Sequence, residues 1–401
     1  MGAPPAQAQE ELSVRAPLGQ RGFADPLHWL NMVAPDRLPI RERLMVPQVG
    51  MTALAPPFPK RAGWAPWLGA GLEVNNSGGG GDQVLTLTPG VQYRYADRRL
   101  RLDASYAAEL ALHLERGDLE DGLSAHGGSA NLSYALTPQS QLTLLNIYSQ
   151  SRDTRGQRLV TGGTDTAELR SNTFALGYRH GITARTQYDV TFGHRFEALD
   201  DEDLLRTQEA SLSFGYGYAL SEIARLRFEG ELREAHFEDA DRKSVAQLAA
   251  TLRHDLGPRW ATEASLGLVQ IGEDDGQLLP FWRAALRHSE RFARYDFTAG
   301  RDVTTVPGLL DYAVSDSATA RALWRVERGL MLDVSLGWQD LQVFDAIDTR
   351  VRSVTVSGQL SYALDDRYWL WGRVDLAREE SGGTAETDNR LVIGLSRDLG
   401  R

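Results

Sequence analysis

The chain contains no cysteine among its 401 residues. That absence removes disulfides, zinc–thiolate sites, cysteine nucleophiles and thioether haem attachment together. Long apolar runs are also missing: no stretch approaches the roughly 20 consecutive apolar residues that a membrane helix needs. Mean hydropathy is −0.35. Net charge is −11 and no long basic run exists, so nucleic-acid binding has no electrostatic footing. Gly78-Gly79-Gly80-Gly81 lacks the Lys-Ser/Thr of a phosphate loop and reads as a flexible tip between two strands. No motif calls for a cofactor or a metal.

Hydrophobic residues nevertheless make up 42% of the chain. A polar mean with abundant hydrophobics fits a soluble β protein or a membrane barrel whose apolar residues alternate with polar ones. Residues 99–115 carry the clearest signal. Leu100, Leu102, Ala104, Tyr106, Ala108, Leu110, Leu112 and Leu114 fall on one face of an extended chain; Arg101, Asp103, Ser105, Glu109 and His113 fall on the other. That is a period of two. The run exceeds the roughly 9–11 residues that cross a bilayer as a tilted strand. The pattern returns at 187–193, 209–218, 225–233 and 330–339.

Connections between the alternating stretches are short near 96–99, 137–140, 180–185, 219–224, 257–259, 288–293, 327–329 and 364–367. Longer polar ones lie near 75–82, 115–127, 151–167, 198–206, 237–244, 273–279, 303–316, 344–350 and 379–388. Strict alternation of short and long predicts periplasmic turns and extracellular loops. It gives an all-β fold: a transmembrane antiparallel up-and-down barrel of about 18 strands over residues 64–401. Tyr95, Tyr134, Tyr178, Tyr188, Tyr218, Trp260, Trp324, Tyr362 and Tyr368 sit beside short connections, as an interfacial aromatic girdle would. The expected home is the outer membrane of a Gram-negative bacterium, in contact with lipid and lipopolysaccharide.

Residues 9–63 lack the alternation. Asp25-Pro26 ahead of Leu27–Val33 reads as a short capped helix, and the segment is either a lumen plug or a periplasmic docking element. Ala6-Gln7-Ala8 has the small-residue pattern of a signal-peptidase site, which makes residues 1–8 a signal-peptide remnant.

The polar faces supply the candidate pore-lining residues: Arg101, Asp103, Glu109, Asp189, Arg195, Arg225, Arg227, Glu229, Glu231, Arg233, Arg283, Arg287, Arg321, Arg325, Asp333, Arg373 and Asp375. Either they bind and select solute, or the arginines and carboxylates pair across strands and stiffen the wall. A polar lumen of about 18 strands is too wide for side chains to fill. The near-even charge balance of these faces argues against strong anion selectivity. The eight histidines are scattered and compose no Ser/His/Asp arrangement. The acidic runs at 200–203, 238–241 and 273–275 fall in the long connections as solvated loop charge.

Leu85-Thr86-Leu87-Thr88-Pro89-Gly90-Val91-Gln92-Tyr93-Arg94-Tyr95, followed by Leu102-Asp103-Ala104-Ser105-Tyr106, resembles the opening strands of outer-membrane β-barrel porins associated with exopolysaccharide export. The resemblance covers residues 64–115 well and the rest by strand rhythm. It implies a non-catalytic exit for a polymer, a periplasmic polysaccharide-export protein as partner and insertion by the barrel assembly machinery. Such barrels commonly finish on an aromatic residue, whereas this chain ends Arg397-Asp398-Leu399-Gly400-Arg401. The sequence supports three readings in order: a passive conduit, a docking barrel with a filled lumen, and an outer-membrane hydrolase.

Overall fold

The computed structural model describes residues 62–399 except 78–79, 115–121, 152–167, 201–204, 238–241, 273–275, 306–311, 328, 344–349, 366 and 382–383. The expectations for residues 1–8, and for the segment from 9 up to residue 61, lie outside the described residues.

Eighteen strands follow one another: β1 Gly63–Ser77, β2 Gly80–Ala96, β3 Leu100–His113, β4 Gly122–Thr137, β5 Ser140–Ser151, β6 Glu168–Gly181, β7 Thr186–Asp200, β8 Leu205–Ala219 and β9 Ala224–Phe237 form the first half. The second half is β10 Lys243–Asp255, β11 Trp260–Ile271, β12 Gln277–Ser289, β13 Ala293–Thr305, β14 Tyr312–Glu327, β15 Leu330–Val343, β16 Arg350–Ala363, β17 Tyr368–Ser381 and β18 Thr384–Asp398. Each pairs antiparallel with the next, and β18 closes on β1 from Trp67↔Asp398 to Ser77↔Asp388. The fold is a closed 18-stranded up-and-down barrel. Strands about 4.8 Å apart and tilted by about 40° give a backbone diameter of roughly 35 Å.

Alternation decides which side chains face out. On β3, Tyr106, Leu110 and Leu112 are exposed while Asp103 and Glu109 are buried. Leu248 on β10 and Leu266 on β11 are about 70% exposed, at 71% and 70%. These apolar residues belt the outside, and the opposite face is polar. A water-soluble protein inverts this arrangement; a hydrocarbon solvent demands it, with every backbone group paired within a closed sheet. The chain is a transmembrane β-barrel of the outer-membrane kind, and it belongs in a Gram-negative outer membrane.

Four of the short connections share one device. The Asp97 carboxylate accepts the amides of Arg99 and Leu100, and that of Asp365 accepts those of Arg367 and Tyr368. Thr183 and Ser221 hydroxyls do the same in their turns. Such side chains satisfy the turn amides locally. Aromatics gather beside them: Tyr178 and Tyr188 rings lie 6.1 Å apart, and Trp324 Nε1 donates to Tyr295 Oη at 3.0 Å.

Two expected long loops are corrected. Near 75–82 the chain stays extended to Ser77 and resumes at Gly80, so Gly80 and Gly81 belong to β2 rather than to a loop tip. Near 379–388, β17 runs to Ser381 and β18 starts at Thr384. Pairing continues through both hairpins because each ladder residue keeps a partner, Ser77↔Gly80 and Ser381↔Thr384.

Candidate solute pathway

All seventeen candidate residues lie on the face opposite the apolar belt, which in a closed barrel is the interior. Ion pairs tile that face. Arg94 and Arg101 both reach Asp103, at 2.6 and 2.9 Å. Arg195 bonds Glu197 at 2.5 Å, Arg321 bonds Asp333 at 2.5 Å, and Arg373 bonds Asp375 at 2.7 Å. Arg227 grips Asp189 through two nitrogens at 2.8 Å and also pairs with Glu229. Arg287 and Arg294 share Asp296, each at 2.7 Å. Several of these join residues two apart on one strand, which share a face by the period of the strand. Others bridge neighbouring strands. Charge-assisted pairing fixes the guanidinium planes and lets the charges sit in a crowded wall.

Across β8–β12 the interior wall forms a recess. It is a cavity of about 170 Å³ that opens to solvent. Arg225, Arg227, Arg253 and Arg283 line it, against Glu229 and Glu263. Arg185 and Thr183, from the β6–β7 turn, form its rim at the short-connection end. Arg227 has its own carboxylates, but the lining as a whole carries more arginine than acid. That local surplus departs from the near-even balance expected of the whole interior.

Above the recess, toward the long-connection end, the lumen narrows. Arg233 on β9 donates from Nη1 to the carbonyl of Val303 on β13 at 2.9 Å. Four inter-strand steps separate β9 from β13 in the wall, about 19 Å at normal spacing, so the end of β13 must have folded inward across β10–β12. The packing agrees: Phe237 and Tyr312 meet edge to face at 6.1 Å, and both are fully buried with Val245, Val269, Phe281 and Val303. Arg283 reaches Asp302 at 3.1 Å. The β13–β14 end is therefore an internal hairpin resting on an apolar pad on the inner face of β9–β12.

The structure brings Arg225, Arg227, Glu229 and Arg283 together at the recess, with Asp189 behind Arg227 and Arg287 alongside. Glu231 and Arg233 sit just above, where Arg233 holds the hairpin and Glu231 lies 4.0 Å from Arg233. Arg101, Asp103, Glu109, Arg195, Arg321, Arg325, Asp333, Arg373 and Asp375 are spread around the rest of the circumference. Sequence reasoning missed the recess as a unit, since its members come from five strands. It also missed Phe281, Val303 and Tyr312. The signal for the hairpin was present in part: 303–316 was read as one polar loop, although Val303, Tyr312 and Val314 interrupt its polarity. Six of the seven histidines on described strands lie on the outer face; His126, His180 and His288 contact tyrosine or tryptophan rings there. His113 faces inward, 2.6 Å from Asp82.

No protein-family model and no curated protein matches the chain. Among solved structures it is similar to the outer membrane protein OpdK from Pseudomonas aeruginosa, with 11% identity, 84% of this chain and 99% of that chain covered, and a TM-score of 0.47. A BenF-like porin from Pseudomonas fluorescens Pf-5 gives 12%, 84%, 99% and 0.47. The siderophore receptor PirA from Pseudomonas aeruginosa gives 11%, 85%, 81% and 0.44. Membrane placement and topology rest on the closed register and outer belt of this chain itself.

Proposed function

We propose that the barrel is a passive conduit for hydrophilic solutes. The observation that carries this reading is the interior: a wall of paired charges and an arginine-lined recess, enclosed by a backbone cylinder of roughly 35 Å. Side chains from the wall alone do not fill such a width, and a charged wall stays hydrated unless something polar covers it. The seventeen candidate residues are its lining, with Arg225, Arg227, Glu229 and Arg283 as the solute contacts. An extended saccharide is the solute class that the sequence resemblance favours. The recess suits one because guanidinium groups donate to hydroxyl and carboxylate oxygens alike. In that reading the export partner docks at the short-turn end, and the barrel assembly machinery inserts the chain.

Liposome swelling with the full chain tests this. Neutral oligosaccharides of graded length should pass, and Arg225→Gln together with Arg283→Gln should slow acidic oligosaccharides more than neutral ones. Vesicles that never swell with any solute would sink the reading. One observation favours a second reading: the internal hairpin already fills part of the lumen, as a docking barrel would require. Intact-vesicle swelling separates the two.

A further inference from the structure

Among the described residues, the inward hairpin leaves the far end of β12 without a ladder partner on its β13 side. β12 and β13 pair from Ser289↔Arg294 to Trp282↔Arg301 and no further. Beyond that point β12 continues to Gln277 on the support of β11 alone, through Ile271↔Gln277. β13 continues to Thr305 on the support of β14 alone, through Thr305↔Tyr312. Among the described residues no strand pairs with residues 277–280 of β12 on its β13 side. Pro280 lies in that edge. The Ser289 amide points toward the β11 side, at Arg259, so even-numbered residues of β12 point theirs toward β13. Proline has no amide to offer there, and the edge is spared an orphaned donor at that residue.

The chemistry of the opening is two-sided. Leu278 is 61% exposed on the lipid face, which it shares with Pro280 and Trp282. Leu279 and Phe281 on the inner face belong to the apolar pad. Just inside, Arg283 belongs to both the seam and the recess. An apolar threshold thus leads directly to a cationic pocket.

We propose that the β12–β13 seam is a lateral port between the recess and the outer leaflet, and that it passes amphipathic molecules with an anionic head and an apolar tail. This rests on the conduit reading for the recess and adds a second exit to it. The head sits among the recess arginines while the tail leaves between β12 and β13, so that neither part crosses the wrong solvent.

The absence of cysteine makes single labels clean. Nitroxides placed at Leu279→Cys, Ala285→Cys and Leu286→Cys of the full chain in bilayers compare the seam, the intact inner wall and the lipid face. The label at 279 is expected to collide with membrane-dissolved oxygen as often as that at 286 and several-fold more than that at 285. A label at 279 that matches 285, or that meets only a water-soluble nickel chelate, overturns the port. Flux provides the second arm. Capping Leu279→Cys with a polyethylene-glycol maleimide should cut dodecanoate flux several-fold and leave small-sugar swelling unchanged; the same cap on Leu286→Cys should do neither. Complete capping with unchanged dodecanoate flux, or an equal fall in both fluxes, overturns the port. If sugars fail to pass in every variant, the conduit reading falls while the oxygen-collision arm still judges the seam.

Discussion

Two seams of this barrel behave in opposite ways. β1 and β18 lie at opposite ends of the barrel sequence, yet their ladder runs unbroken from Trp67↔Asp398 to Ser77↔Asp388. β12 and β13 are joined by a three-residue turn, yet they part after Trp282↔Arg301. Proximity in sequence therefore does not set the extent of pairing here; what each strand end buries does. At the closing seam the inner face offers Trp67 and Trp371, whose rings lie flat over Gly90 and Gly394 and lock the wall. At the parting seam, Val303 and Tyr312 pack on the apolar inner face of β9–β12 rather than in line with the wall. The prolines repeat the contrast. The β2–β3 ladder skips Thr88 and Pro89 and then resumes at Gly90↔Ala107, whereas past Pro280 nothing resumes.

The largest effect is expected on the lipid face. Ile393→Arg, mid-strand on the closing seam, should cost about 2–4 kcal/mol and abolish heat-modifiable gel mobility, while Leu278→Arg near the end of the parting seam should cost about 1 kcal/mol or less. Equal defects would remove the distinction between the two seams. Next, a methyl at Gly394 would fall 2.3 Å from the Trp371 ring, whereas one at Gly358 would meet nothing within 4 Å. Gly394→Ala should lower stability to urea by about 1–3 kcal/mol through overpacking, with Gly358→Ala unchanged. A smaller effect separates the prolines. Pro89→Val gives β2 an amide aimed at β3, and Pro280→Val gives β12 one aimed at the vacant edge. Hydrogen exchange should be slow at residue 89 and fast at residue 280; protection at both would mean that the seam is paired in the membrane.

The smallest effect concerns the turns. The amides of Leu100 and Arg99 hold the Asp97 carboxyl below its usual range, and those of Arg367 and Tyr368 do the same for Asp365. A depressed folded value means stability that is present above the ordinary carboxylate pKa of about 3.9 and lost as pH falls through the lowered one. Asp97→Asn with Asp365→Asn should flatten that acid-side loss in a thermal melt, and an unchanged slope would count against these caps.

Strand order, connection rhythm and the lipid-facing set were legible because each is a local, period-two property: Leu110 and Asp103 announce their faces within a few residues. The pairing along one strand was not foreseen, since pairs across strands were expected; its pattern stands in Arg101-x-Asp103 and Arg373-x-Asp375. The recess was not, because Arg227, Arg253 and Arg283 meet only once five strands curve past one another. Nor was the inward hairpin. Its cause is a comparison between two burial sites for Val303 and Tyr312, and the better one is built by Phe237, Val245 and Phe281, remote in sequence.

The proposed conduit is narrowed from within by the β13–β14 hairpin. Planar-bilayer recording of the full chain, beside Arg233→Leu combined with Tyr312→Ala, tests it most directly. Stepwise conductance is expected from both, with larger steps once the Val303 anchor and the Phe237 contact are gone. Steps of identical size in the two proteins, or a barrel that never conducts, would contradict it.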